Sequence, residues 1–270
     1  MNITYRLLTV VALLLWSPSA YCQEARKFGW KPDVGGVVDK SFGPRFRGSP
    51  IKDSVDLRAL MPPVYDQGMI SSCVGNGVAA ALDYAHVISN PGAKFITPSR
   101  LWIYYFGRVA IGTVNEDSGC QIRDAKDVVL KQGAALESIW PYRESQFKVK
   151  PSAAAYADAG SHQAVTAYKV ETIEDVQRAL SLGLPVVFGV PVYRAIMDLS
   201  WFNYTLPMPA KNERSVGGHC MVVVGYKERN LIIRNSWGSK WGRGGHMLMP
   251  FEYWIRFQKQ TDGWVIPVSE

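Results

Sequence analysis

The chain has 270 residues, of which 47% are apolar, 20% charged and 12% aromatic. That excludes a disordered polypeptide and supplies apolar surface for one large domain, or two small ones sharing an interface. Thirty Lys and Arg against 23 Asp and Glu leave a formal charge of +7, or +6 once Arg6 departs with the leader described next. The basic residues are scattered without a long Lys/Arg run, so they describe a solvated surface and give no ground for a nucleic-acid partner.

The first segment reads as a leader rather than as part of the fold. Arg6 forms a positive n-region, and Leu7 to Trp16 is a short apolar run. Ser17-Pro18-Ser19-Ala20-Tyr21-Cys22 follows as a cleavage region, with Ala20 three residues back from a cut after Cys22. Residues 1–22 are therefore expected to be a cleaved signal peptide, and the protein secreted or periplasmic with no stable membrane anchor. One alternative is a spanning anchor, but the run falls short of the roughly 20 apolar residues needed. The other is a lipid-anchored Cys22, which bulky Tyr21 disfavours. Removing the leader leaves Cys73, Cys120 and Cys220, and three cysteines cannot all pair within one chain. At least one thiol is free.

Residues 23–53 are rich in Gly, Pro, Lys and Arg and lack helical periodicity, so an extended arm or hairpin is expected there. Ser72 stands where an N-cap would, ahead of a run of small and apolar residues from Cys73 to Tyr84 that suits a helix packed on several sides. Thr97-Pro98 reads as the start of a second helix containing Leu101 to Tyr105. Ile122 to Gln132 is a third, stopped by Gly133. A fourth follows Thr172, with Ile173, Val176 and Leu180 on one stripe and Gly183 as terminator. Beyond this the pattern changes. Pro185–Val192, Cys220–Tyr226, Leu231–Arg234 and Gly245–Met249 are short β-branched or apolar runs bounded by Gly and Asn, hence strands. Helices first and strands second make an α+β plan with two lobes, dividing near residue 160.

Cys73 falls in the first turn of a predicted helix, where free backbone N–H groups and the helix dipole favour an anion and lower a thiol's pKa. Alone, a buried cysteine is more often inert. His219, however, follows Gly217-Gly218 and opens a strand, and Asn235 follows the next strand, 16 residues later (235 − 219). If those strands are antiparallel neighbours, the imidazole and the amide meet at one end of the sheet. A Cys, a His and an Asn in that arrangement supply a nucleophile, its base and a group that fixes the ring's tautomer.

The surrounding residues carry a resemblance. Asp66-Gln67-Gly68-Met69-Ile70-Ser71-Ser72-Cys73 resembles the nucleophile segment of papain-like cysteine peptidases, in which a Gln precedes the catalytic Cys by six residues. Gly217-Gly218-His219-Cys220-Met221-Val222-Val223-Val224-Gly225-Tyr226 is similar to the family's His strand. Arg234-Asn235-Ser236-Trp237-Gly238 is similar to its Asn-Ser-Trp-Gly segment, and Val55-Asp56-Leu57-Arg58 to the start of its mature enzyme. The Cys73-to-His219 separation of 146 residues (219 − 73) also lies in the family's range. The similarity runs from about residue 54 to 255.

The resemblance implies a papain-like fold, with a helical N-terminal lobe over about 54–160, a β-rich lobe over about 161–270, and the cleft between them. It implies Cys73 as nucleophile, His219 as general base and acid, Asn235 as orienter and Gln67 as oxyanion donor beside the Cys73 backbone N–H. Trp237 would cover the His–Asn bond. The substrate would be a protein or peptide, with no metal or organic cofactor.

The chain departs from the family pattern in places. Ile70 and Val74 replace the usual Cys and aromatic flanking the nucleophile, so the disulfide beside the site is missing and Cys120, near its partner's place, is expected to be free. Gln121-Ile122-Arg123 replaces a Gly-Gly pair that binds substrate backbone in many relatives. These features look more like a divergent bacterial branch. Cys220 should face the core, because alternate strand residues point to opposite faces. A Cys120–Cys220 disulfide is allowed by count but disfavoured. His86, His162 and His246 show no ligand spacing. Residues 23–53 are read either as a short pro-segment that packs near the cleft and blocks it, or as a structural arm. Two rival functions stand beside peptide hydrolysis: amide hydrolysis or acyl transfer on a cross-linked or non-protein substrate by the same residues, and a non-catalytic scaffold.

Overall fold

The computed structural model describes residues 26–35 and 39–267, so the expected leader lies outside the described residues. Its centre is an antiparallel sheet in the order β2 (Tyr168–Val170), β7 (Asp262–Val265), β3 (Val186–Val192), β4 (Gly217–Lys227), β5 (Asn230–Arg234) and β6 (His246–Pro250). β1 (Val55–Asp56) pairs with β4 through Val55 opposite Tyr226, so the chain enters the sheet before it builds the helices. β3 and β4 are nearly wholly buried, consistent with their continuous apolar runs.

Against this sheet stands α2 (Cys73–Ser89), with α3 (Arg100–Ala110) and α4 (Ile122–Lys131) on its far side. Residues Cys73 to Tyr84 of α2 are all buried. Two glycines make that possible. A Cβ at Gly75 would come within 2.6 Å of the Arg100 carbonyl, and one at Gly77 within 3.1 Å of Cys220 Sγ. Cys220 thus faces α2 and the core, as the alternation predicts. All three described cysteines are free.

The predicted helix starts hold in three cases, α2 beginning at Cys73 after Ser72, and shift in one. Thr172 caps α6 (Ile173–Ser181) through a reciprocal box with Asp175, and Gly183, at φ 79°, ends it. Gln121 precedes α4, which Gly133 follows at φ 74°. Thr97-Pro98 does not open α3. Thr97 adopts φ 51°, Pro98 bridges to Leu136, and Ser99 is the cap, its Oγ accepting from Trp102 N at 3.1 Å. Asp83 decides this, since its buried carboxylate takes the N–H of Ile96 at 2.7 Å and holds the preceding turn away from helical geometry.

The arm is also not wholly extended. Phe42–Phe46 forms a short helix, α1, because Phe42 is fully buried and stacks on Phe46 at 4.5 Å, while Phe46 meets Tyr168 edge-on at 5.4 Å. The remaining α-helices among the described residues are α5 (Ala153–Ala159) and α7 (Phe251–Phe257).

Candidate active site

Cys73 is the first residue of α2 and is fully buried. Its sulfur accepts from the Cys220 backbone N–H at 3.4 Å, and the Gly29 backbone N–H also points at it. β4 and β5 pair as neighbours, with Val222 opposite Arg234, so His219 and Asn235 come to the same end of the sheet. His219 Nε2 and Asn235 Oδ1 lie 2.8 Å apart; the amide oxygen accepts, which assigns the proton to Nε2 and leaves Nδ1 as the acceptor. Nδ1 has no hydrogen-bond partner among the described residues. Trp237 lies over the imidazole at a centroid distance of 4.9 Å, and Trp241 packs edge-on against it at 5.2 Å.

Gln67 is held from three sides. Its Oε1 accepts from Ser236 Oγ at 2.8 Å, its backbone N–H donates to the Ser236 carbonyl at 2.8 Å, and its carbonyl accepts from Tyr142 Oη at 2.7 Å. The side-chain amide is thereby oriented, with Nε2 donating to the carbonyls of Ile70 at 2.9 Å and Lys27 at 3.1 Å. The loop leading to Cys73 is pinned by side chains where the family has a disulfide. Glu144 accepts from Met69 N and Asp117 from Ser71 N, each at 2.8 Å, and the Tyr142 and Ser72 hydroxyls bond at 2.6 Å. Beneath it the Arg100 guanidinium bonds Glu137, Asn76 Oδ1 and the Asp66 carbonyl. Ser72 therefore holds the N-cap position without capping, its hydroxyl being engaged by Tyr142 and by Asn76 Nδ2. None of Arg100, Glu137, Tyr142, Glu144 or Asp117 carries a local sequence signal, since each acts across the fold.

The arm crosses this site. Phe28 meets His219 edge-on at 5.7 Å and Trp237 at 6.0 Å. Gly29 has no Cβ, and one would fall 1.8 Å from the Ser71 carbonyl oxygen. Its own carbonyl accepts from Cys120 N at 2.9 Å, Trp30 N donates to the Gly218 carbonyl at 3.0 Å, and Lys31 N to the Cys120 carbonyl at 3.0 Å. Arg26 pairs with Asp66 at 2.6 Å and Lys27 with Asp117 at 2.8 Å.

Burial of the site opposes the expected charge state. Burial pushes the Cys73 thiol up to about 11, despite the backbone N–H groups that favour the thiolate. Burial likewise pushes His219 down to about 4, against the opposing hydrogen bond to Asn235. Placement at a helix N-terminus alone predicted a lowered thiol pKa; desolvation by burial overrides it.

The chain belongs to the papain family of cysteine proteases. The family model matches residues 51–253. The chain is 35% identical over 213 residues to an uncharacterized peptidase C1-like protein of Acanthamoeba polyphaga mimivirus, covering 74% of this chain and 68% of that one. Among solved structures it is similar to xylellain, a cysteine protease from Xylella fastidiosa, at 34% identity and a TM-score of 0.79, covering 92% of this chain and 99% of that one. It shares its fold with digestive procathepsin L 3 of Tenebrio molitor larval midgut, at 17% identity and a TM-score of 0.67 over 90% and 76% of the two chains. It is a cysteine-type peptidase with the α+β, two-lobe papain fold. Among the described residues no helix is long and apolar enough to cross a membrane.

Proposed function

We propose that this member of the papain family is secreted, hydrolyses peptide bonds through Cys73, His219, Asn235 and Gln67, and is made with its cleft closed by its own arm. The organisation on this reading is a leader over 1–22, the arm over 23–53 and a catalytic part over 54–270. The observation that carries it is the Gln67 amide bonded to the Lys27 carbonyl at 3.1 Å, beside a nucleophile on a helix N-terminus and a His–Asn pair at 2.8 Å. A peptide carbonyl already rests on the donor that the reaction requires.

Once the arm leaves, water reaches the site, the burial penalty on the thiolate and the imidazolium falls, and a proton passes from Cys73 to His219. The thiolate attacks the scissile carbonyl, and the oxyanion is held by Gln67 Nε2 and the Cys73 N–H. His219 protonates the leaving amine, which departs and leaves a thioester. His219 then deprotonates a water that releases the acid. Asn235 holds the ring, and Trp237 shields that bond from water.

The arm runs from the His219 side at Phe28 to Gly218 at Trp30. His219 serves the leaving amine, so the arm travels from the leaving-group side toward the acyl side, opposite to a substrate. That direction supports a blocking role, because its peptide bonds are presented backwards to Cys73. The test is labelling of the secreted chain with an epoxide that alkylates papain-like enzymes, mapped by mass. One adduct on Cys73, slow with the arm present, fast without it and absent in His219→Ala, is expected. No adduct with or without residues 23–53 overturns the reading.

A further inference from the structure

Beyond Gly29, arm side chains occupy two receptacles on the acyl side of Cys73. Trp30, 5% exposed, lies across Gly189 and Gly218. A Cβ at Gly189 would stand 2.1 Å from its indole Nε1 and Cε2, and one at Gly218 2.6 Å from Cε3. An indole-sized group fits there because both strand positions are glycine.

Three residues on, Asp33 accepts from Arg123 Nε at 2.9 Å and lies 3.3 Å from Lys169 Nζ. Asp39 adds contacts to Arg123 at 2.5 Å and Lys126 at 3.5 Å. The three cations surround one ring, at 5.6, 4.7 and 5.7 Å from Trp264 for Arg123, Lys126 and Lys169. The Arg123 and Lys126 side chains are only 11% and 8% exposed. Among the described residues, both carboxylates paired with Arg123 come from the arm. From the catalytic part, Lys126 pairs with Asp127 at 2.6 Å, and the Arg123 charge also acts on Asp124 and on the buried Asp262, which Lys169 attracts as well. These guanidinium contacts hold the Asp33 carboxyl well below the usual carboxylate range. Removing the arm takes away both carboxylates that bond the Arg123 guanidinium, leaving only the more distant Asp124 and Asp262 charges, a loss that an incoming anion offsets.

We propose that this cleft selects acidic peptides, in which a substrate carboxylate replaces Asp33 on Arg123 and Lys169. The proposal rests on the peptidase reading above. A substrate runs opposite to the arm, so the residue just before the one that supplies the scissile carbonyl takes the place of Trp30 on Gly189 and Gly218. The acidic residue then lies roughly two to four residues further toward the N-terminus, within the reach of extended chain.

The test uses the full-length chain before and after proteolytic release of the arm, with peptides carrying Tyr or Ala at the position that replaces Trp30 and Asp, Asn or Lys scanned upstream. The released form decides the outcomes. Cleavage is read by mass, and Cys73 alkylation is followed with peptidyl chloromethyl ketones of the same sequences. Asp is expected to exceed Asn by about 10-fold and Lys by more, with the ratio falling toward one in the Arg123→Gln/Lys169→Gln double variant and in about 0.5 M NaCl. Tyr is expected to exceed Ala, with that ratio falling at least about 10-fold in Gly189→Ala. Both variants also loosen the arm, so the ratios, not absolute rates, are the readout. Hydrolysis with an Asp-to-Asn ratio near one overturns this proposal and leaves the peptidase reading intact. Alkylation of Cys73 that favours Asp without any hydrolysis supports the subsite and overturns the peptidase reading. Alkylation by none of the reagents overturns the proposal.

Discussion

The Gln67 side-chain amide donates to the Lys27 carbonyl at 3.1 Å, so a donor aimed into the cleft is occupied by the chain's own backbone. Phe28 packs on His219 beside that contact, and Trp30, two residues on, is buried. Trp30→Ala should therefore loosen the arm rather than the catalytic fold. Loss of a buried indole costs about 3–5 kcal/mol in a core, and part of that appears here as arm release. Epoxide labelling of Cys73 should accelerate by about 10-fold or more, with little change in the denaturant midpoint of the rest. An unchanged rate would show that the arm does not gate the cleft.

Gln67→Ala removes the proposed oxyanion donor while leaving Cys73, His219 and Asn235 in place. Turnover should fall on the order of 10²-fold with KM little changed. Ser236 Oγ also loses its acceptor, so a small stability loss of about 1 kcal/mol accompanies it. Steady-state kinetics on an arm-released sample would measure both parameters.

Burial holds the Cys73 thiol up at about 11 and the His219 imidazole down at about 4 in the closed form. Alkylation of the full-length chain by iodoacetamide should accordingly rise only in strongly alkaline solution. Deleting residues 23–40 admits water and should move the midpoint down by at least about one pH unit. Coincident profiles for the two forms would contradict a closed, neutral resting pair.

His246 is also pushed down to about 4 by burial, with Nδ1 held by the Gly244 carbonyl at 2.9 Å. A depressed histidine binds its proton less readily in the folded than in the unfolded chain. Its stabilising effect is thus present above about pH 6.5 and is lost as pH falls through 4, by at most about 3 kcal/mol. Asp262 acts in the opposite sense, since burial raises its carboxyl to about 6. That contribution is present below its ordinary value of 3.8 and is lost as pH rises through 6. Thermal melting of His246→Gln should show a shallower acid limb than wild type, and Asp262→Asn should gain stability at pH 7 but not at pH 4.

Arg100 lies beneath the nucleophile loop, with its side chain 11% exposed and paired with Glu137 at 2.5 Å. Arg100→Met strands the Glu137 carboxylate and leaves Asn76 Oδ1 and the Asp66 carbonyl without their donor. Urea unfolding should register a loss of about 3–5 kcal/mol. A loss under about 1 kcal/mol would place the loop's support in Tyr142 and Asp117 instead.

The helix and strand pattern was legible where the signal is local. The caps at Thr172 and Gly183, the glycines that let α2 approach α3 and β4, and the buried runs of β3 to β5 all depend on residues close in sequence. So did the meeting of His219 with Asn235, because a hairpin's register is set by its own turn and its apolar face. The start of α3 was misplaced because Asp83, 14 residues before Thr97, takes the backbone N–H groups there. The short α1 was missed because its stability comes from Tyr168, far along the chain. The charge state of Cys73 was misread for the same reason. Helix position is a local property and points to a thiolate, whereas burial under Gly29, Phe28 and Trp30 depends on how the arm is docked. Residue order alone thus determined the family, the fold and the candidate site residues. Only tertiary structure decided which of their donors are open, because long-range burial and pairing set solvation, and solvation sets charge.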